Sequence, residues 1–139
     1  MSLFPSKTIR FQPRVPILRA IEGWHEIDGI RVKVSCRFRD ILRCSEFNNK
    51  TRHFTSCFRK EGVHNAQPLR RCQDPTWAIV YLPDKHGNFM GRCFIRWIEK
   101  SNTLEIGRVY GNRLTQDQIR LIMTKFEIEC LQSSVDTYL

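Results

Sequence analysis

The sequence predicts an α+β fold: an antiparallel β-sheet of about four or five strands packed against a C-terminal α-helix, with a proline-rich N-terminal arm. Three observations predict it. Residues 30–39 alternate strictly, with Ile30, Val32, Val34, Cys36 and Phe38 on one face and Arg31, Lys33, Ser35, Arg37 and Arg39 on the other. A period of two over that length marks a half-buried strand. Two apolar runs, 77–82 and 89–98, flank the turn Pro83-Asp84-Lys85-His86-Gly87-Asn88 and read as an antiparallel hairpin. Behind Thr115, apolar residues recur at helical spacing. The chain has 139 residues, the length of one domain, with its core expected between residues 30 and 130.

Taken in order, residues 1–20 carry Pro5, Pro13 and Pro16, which break helices and bias their neighbours toward extended backbone, so an extended arm is expected. Asp28-Gly29 precedes the alternating strand and suits a hairpin turn. Asp40 is placed to cap a short helix running to Phe47. Residues 51–60 suit helix or strand, and 61–75, with Gly62, Pro68 and Pro75, read mostly as loop. After the hairpin, Lys100-Ser101-Asn102 turns the chain into a further strand, 104–110, which Gly111-Asn112 ends. Thr115 with Gln118 forms a capping box, Leu114 and Ile119 suit the hydrophobic staple, and Ile119, Ile122, Met123, Phe126 and Cys130 line the buried face of the helix. Residues 133–139 are expected to fray.

Charge is the chief pointer to function. Lys and Arg number 23 against 14 Asp and Glu, a formal +9. Residues 1–72 hold 15 basic and 6 acidic side chains, whereas 73–139 hold 8 of each. The excess therefore belongs to the N-terminal half, where 11 of the 15 are Arg. Such a face either solvates the protein or contacts phosphates, and the flat donor fork of Arg favours phosphate. No apolar run approaches the roughly 20 residues of a membrane span. The first 14 residues lack an apolar segment, so no secretory signal and reduced cysteines are expected.

Two basic sets follow as candidate nucleic-acid contacts. One is Arg31, Lys33, Arg37 and Arg39 on the alternating strand, with Arg43 and Arg52 beyond it. The other needs the Leu104–Tyr110 side of one strand to adjoin the Arg92 side of its neighbour. Arg92, Phe94, Arg96, Arg108 and Tyr110 would then form a basic-aromatic sheet face of the kind that stacks unpaired bases. Aromatics in strands are more often packing residues, and in that reading Phe94 and Tyr110 pack beneath a helix or the N-terminal arm with the Arg residues at the rim.

Of the six cysteines, Cys36, Cys93 and Cys130 fall on apolar faces and read as core. Cys44, His53, Cys57, His64 and Cys72 contain enough ligands for zinc, but at a spacing unlike the common knuckles. A Cys57 thiolate beside His53 or His64 is a conceivable nucleophile with only composition behind it. No metal, cofactor or catalytic residue is assigned from the sequence.

Arg108-Val109-Tyr110-Gly111-Asn112-Arg113 lies between a strand and a capped helix. It is faintly similar to the R/Q-x-x-G-x-G/A loop of GNAT-type acyl-CoA-dependent acetyltransferases. There the resemblance implies a pyrophosphate cradle of backbone amides, with Arg113 standing where that family has a small residue. Over about residues 55–130 the chain also resembles a family of small, uncharacterised tailed-bacteriophage proteins. The likeness rests on Ser56-Cys57-Phe58, on Gly87 and Arg92 followed by Trp97, and on Arg108-Val109-Tyr110 before the helix. That resemblance implies action in the cytoplasm of an infected bacterial host and carries no activity with it. The expectation is a non-enzymatic basic protein that binds RNA or single-stranded nucleic acid, acting in host takeover or in protecting phage transcripts. The alternatives are an inhibitor of a host protein or defence nucleoprotein complex, and a GNAT-like acyltransferase.

Overall fold

A computed structural model describes residues 14–43 and 74–133. In chain order these form α1 (Pro16–Ile21), β1 (Gly23–Ile27), β2 (Ile30–Ser35), α2 (Phe38–Arg43), β3 (Trp77–Pro83), β4 (Phe89–Ile98), β5 (Thr103–Ile106), β6 (Tyr110–Gly111), α3 (Gln116–Thr124) and β7 (Glu129–Gln132). The architecture is α+β, as expected, but the sheet is larger than expected and mixed. Among the described residues seven strands form one sheet in the order β1-β2-β3-β4-β5-β7, with β6 also pairing β4. The neighbours from β1 to β5 are antiparallel, and β5 pairs β7 in parallel.

Both hairpins form where the turn chemistry places them. Asp28 and Gly29 adopt φ of 51° and 77°, the left-handed pair that a two-residue hairpin requires, and Ile27 faces Ile30 across it. In the β3–β4 turn, Asp84 Oδ1 accepts from the backbone N–H groups of His86 and Asn88.

One face of the sheet is the main core. Val32 and Val34 of β2, Ala78, Val80 and Leu82 of β3, Cys93 and Ile95 of β4, and Leu104 and Ile106 of β5 are buried there. Two helices cover that face: α1 through Leu18 and Ile21, and α3 through Ile119, Ile122 and Met123. Each buried Leu or Ile contributes about 1.5–3 kcal/mol relative to remaining exposed. The capping box at Thr115 is complete: Gln118 N–H donates to Thr115 Oγ1 and Thr115 N–H to Gln118 Oε1. Leu114 and Ile119 are both buried, as the staple requires.

Five sequence expectations are corrected. Within the arm, residues 16–21 are helical rather than extended, because Pro16 occupies the first helical turn, where its missing N–H costs nothing. Residues 1–13 lie outside the described residues. The alternating strand stops at Ser35 instead of Arg39. Ser35 is buried, its hydroxyl donates to Asp40 Oδ2 at 2.5 Å, and it accepts from Arg37 N–H at 3.1 Å, which turns the chain into α2. Asp40 therefore sits inside α2 as the partner of Ser35, not as the cap of a later helix; residues 44–47 lie outside the described residues. The strand expected over 104–110 breaks after Ile106. The helix expected to reach Cys130 ends at Thr124, where Lys125 N–H donates to Ile122 O and Phe126 N–H to Met123 O, and Glu127 takes a left-handed φ of 57°. Ile128 N–H then bonds Met123 O, and the chain re-enters the sheet as β7, so this helix is not the last element.

The break after Ile106 sets the site geometry. Ile95 faces Ile106 and Trp97 faces Leu104, but further along β4 Arg92 faces Tyr110 and Gly91 faces Gly111. The register advances by one residue between the two pairings, the signature of a β-bulge. Gly107 is held in the bulge: its N–H donates to Phe94 O, and its carbonyl accepts from Gln116 Nε2 at 2.8 Å. Gly91 is required where β4 meets the chain leaving β6. A Cβ there would lie 2.9 Å from Leu114 Cβ and 3.1 Å from Asn112 O.

Candidate nucleic-acid interface

The second face of the sheet carries the basic side chains, and it is divided. Over β3 and β4 it is a second buried layer. Ile79, Arg92 and Phe94 are fully buried, and α2 adds buried Ile41. Phe94 meets Trp77 edge-on at 6.1 Å, and Tyr81 stacks on Phe89 at 4.1 Å. Over β1 and β2 the same face opens to solvent.

The bulge decides which residues join the Arg92 side. Leu104 and Ile106, expected on that side, point into the main core instead. A one-residue slip moves side chains to the opposite face, so Tyr110 returns to Arg92. Arg92 and Arg108 then both lie over the Tyr110 ring, at 4.5 Å and 5.3 Å from its centre. Arg92, Arg108 and Tyr110 are thus brought together, by the bulge rather than by continuous strand alternation. Arg96 lies 5.4 Å over Trp77 and pairs Glu105 at 3.2 Å, which offsets its charge. With Arg92 and Phe94 at 0% exposure, this set offers no open stacking platform in this conformation.

The first basic set fares differently. Arg31 is exposed and Lys33 partly so on β2. Arg37 and Arg39 are also exposed, but they flank the start of α2 and are not on the strand face. Arg43 donates to Gly87 O at 3.0 Å and lies 5.5 Å over Phe89. Arg52 lies outside the described residues.

Sequence reasoning missed Trp24. It sits on β1 directly across from Lys33 and is 45% exposed. The Arg31 guanidinium lies 4.4 Å and the Lys33 ammonium 5.5 Å from its ring centre. Such contacts contribute about 0.5–1 kcal/mol at exposed sites. They hold two cations over the ring of a residue that stays 45% exposed.

Next to Trp24 a groove of about 480 Å³ opens at the turn end of both hairpins. Ile30, Leu82, Pro83 and Met90 form apolar lining. Arg31, Lys85 and Arg113 bring positive charge from three separate segments, against one acid, Asp84. Arg113, exposed with a left-handed φ of 66°, comes from the short link between β6 and α3.

The described cysteines are thiols near neutral pH. Burial pushes Cys93 up to about 12, against weaker lowering by its Gly107 hydrogen bond and by Arg92. Burial also raises Cys36 to about 12, with Glu22 adding to the effect. Folding thus retains protons that the unfolded chain releases above about pH 9. The resulting stability is complete below that pH and is lost as pH rises toward 12. Urea denaturation at about pH 8 and about pH 10.5 should show lower stability at the higher pH, with a smaller drop in Cys93→Val. An equal drop in both proteins would remove Cys93 as a cause.

Among the described residues no group of three or more His, Cys, Asp or Glu could hold a metal ion. The zinc candidates Cys44, His53, Cys57, His64 and Cys72 lie outside the described residues, as does the Cys57 nucleophile. Among the described residues no helix is long and apolar enough to cross a membrane. No protein-family model, curated protein or solved structure matches this chain.

Proposed function

We propose that this protein is a non-enzymatic binder of RNA or single-stranded nucleic acid that uses the open β1–β2 face. The observation that carries this reading is Trp24, half exposed and flanked by Arg31 and Lys33. Aromatic faces stack on bases of any sequence, and Arg and Lys neutralise the adjoining phosphates. Arg37 and Arg39, exposed at the start of α2 just past the far end of β2, add cations there, off the strand face itself. On the bacteriophage resemblance, the strand bound would be a transcript or an opened nucleic acid in the host cytoplasm.

One specific observation favours an acyl-CoA-dependent enzyme as a second reading. A bulged strand leads through Arg108–Arg113 to the capped N-terminus of α3, and the chain then returns as β7, parallel to β5. Amides at such a helix start suit a pyrophosphate.

Fluorescence anisotropy with a labelled oligouridine of roughly 12 nucleotides, within known site sizes, separates the two. Nucleic-acid binding predicts affinity that falls steeply between about 50 and 200 mM salt. No binding at the low-salt end would overturn the first reading. A rise in melting temperature with millimolar acetyl-CoA would favour the second.

A further inference from the structure

The groove beside Trp24 has a shape and charge that the strand face alone does not explain. Its volume of about 480 Å³ lies in the range of small-ligand clefts. Its lining combines two chemistries. Ile30, Leu82, Pro83 and Met90 give apolar surface next to an indole that is 45% exposed. Arg31, Lys85 and Arg113 stand around it, leaving a net charge of +2 after Asp84 is counted. Asp84 Oδ1 already accepts two backbone N–H bonds from its own turn.

An apolar ligand would gain nothing from three cations, and a bare phosphate would gain nothing from the indole. A nucleotide uses both, since its base has an apolar face and its phosphate a full negative charge. In a duplex the base faces are covered by their neighbours, so only an unpaired residue can present one. Resting on the nucleic-acid reading above, we propose that this groove receives one unpaired nucleotide of a bound strand, its base against Trp24 and its phosphates among Arg31, Lys85 and Arg113.

The three cations come from the β1–β2 hairpin, the β3–β4 turn and the β6–α3 link. They are therefore assembled only in the folded chain. The position also suits the track, since the groove opens at the Arg31 end of β2, and Arg37 and Arg39 lie past its other end. A strand held in the groove at one end can run along β2 with its phosphates toward Lys33.

The test uses the full chain with Trp24→Ala and Trp24→Phe, and a labelled oligouridine and a labelled duplex of equal length as probes. Both variants should fold, because Trp24 makes its ring contacts at the surface, and a melting curve checks this. Trp24→Ala is expected to weaken oligouridine binding about 10- to 100-fold, the loss of one base stack, with the salt slope unchanged. Trp24→Phe should recover most of the affinity, and duplex binding should not change. The proposal is overturned if Trp24→Ala binds oligouridine within about twofold of the parent, or loses duplex affinity equally. If that happens while the parent still binds with steep salt dependence, the groove assignment fails and the nucleic-acid reading stands. If the parent binds no oligouridine at all, both fail.

Discussion

Phe94→Ala is expected to cost about 3–5 kcal/mol of folding stability and to leave the affinity of the folded protein for nucleic acid unchanged. Phe94 is fully buried at the centre of the sheet, faces Ile79 across β3, and holds Trp77 edge-on. Truncating it removes a ring from a buried layer, at the cost of its transfer free energy and of any cavity left behind. The loss is a large share of the roughly 5–15 kcal/mol that keeps such a domain folded. In urea it should lower the midpoint by about 2 M. The opposite result, unchanged stability with abolished binding, would return Phe94 to the role of stacking platform.

The second large effect is on binding. Replacing Arg31, Lys33, Arg37 and Arg39 together by Gln should lower oligouridine affinity about 100-fold or more at low salt. Hydrogen bonds to charged groups contribute about 1.5–3 kcal/mol each, so removing even two of them reaches that figure. Stability should change little. Arg31, Arg37 and Arg39 are exposed, Lys33 is partly exposed, and Arg31 and Lys33 meet Trp24 only through cation–π pairs at the surface. Glutamine retains much of the stem packing and avoids placing a new acid opposite Glu26, which faces Arg31 across the hairpin. A binding defect accompanied by unfolding would contradict this account of the face.

The features legible in the sequence were those with local causes. Asp28-Gly29 fixed one hairpin, and Thr115 with Gln118 fixed the start of α3, because each motif satisfies its own backbone. Other features depend on distant partners or lack the usual residue. The end of α3 uses Glu127 in the left-handed conformation where glycine is the common signal, so apolar spacing continued misleadingly to Cys130. Strand β7 is four residues long, lies at the sheet edge and is mostly exposed, which leaves no alternation to read. The bulge at Gly107 depends on Phe94 O and Gln116, neither of which is local.

The candidate site divides in the same way. Arg31 and Lys33 followed from alternation. Trp24 was within reach, since a two-residue turn at Asp28-Gly29 places residue 24 opposite residue 33. The meeting of Lys85 and Arg113 with Arg31 was not, because it requires three turns to converge in space. Packing of Phe94 was among the readings the sequence offered, but full burial of Arg92 lay beyond reach. The sequence pattern covers one face of the sheet, and the structure covers both over β3 and β4.

The central claim is that phosphates meet the protein along β2 and its flanks. The most direct measurement is the dependence of oligouridine affinity on salt, compared between the parent and the four-Gln variant. Single strands release about 0.7 counterions per phosphate neutralised, so removing four cations from the track should flatten the log–log slope by about 3. An identical slope in both proteins would mean that the phosphates lie elsewhere, and the assignment of this face would be wrong.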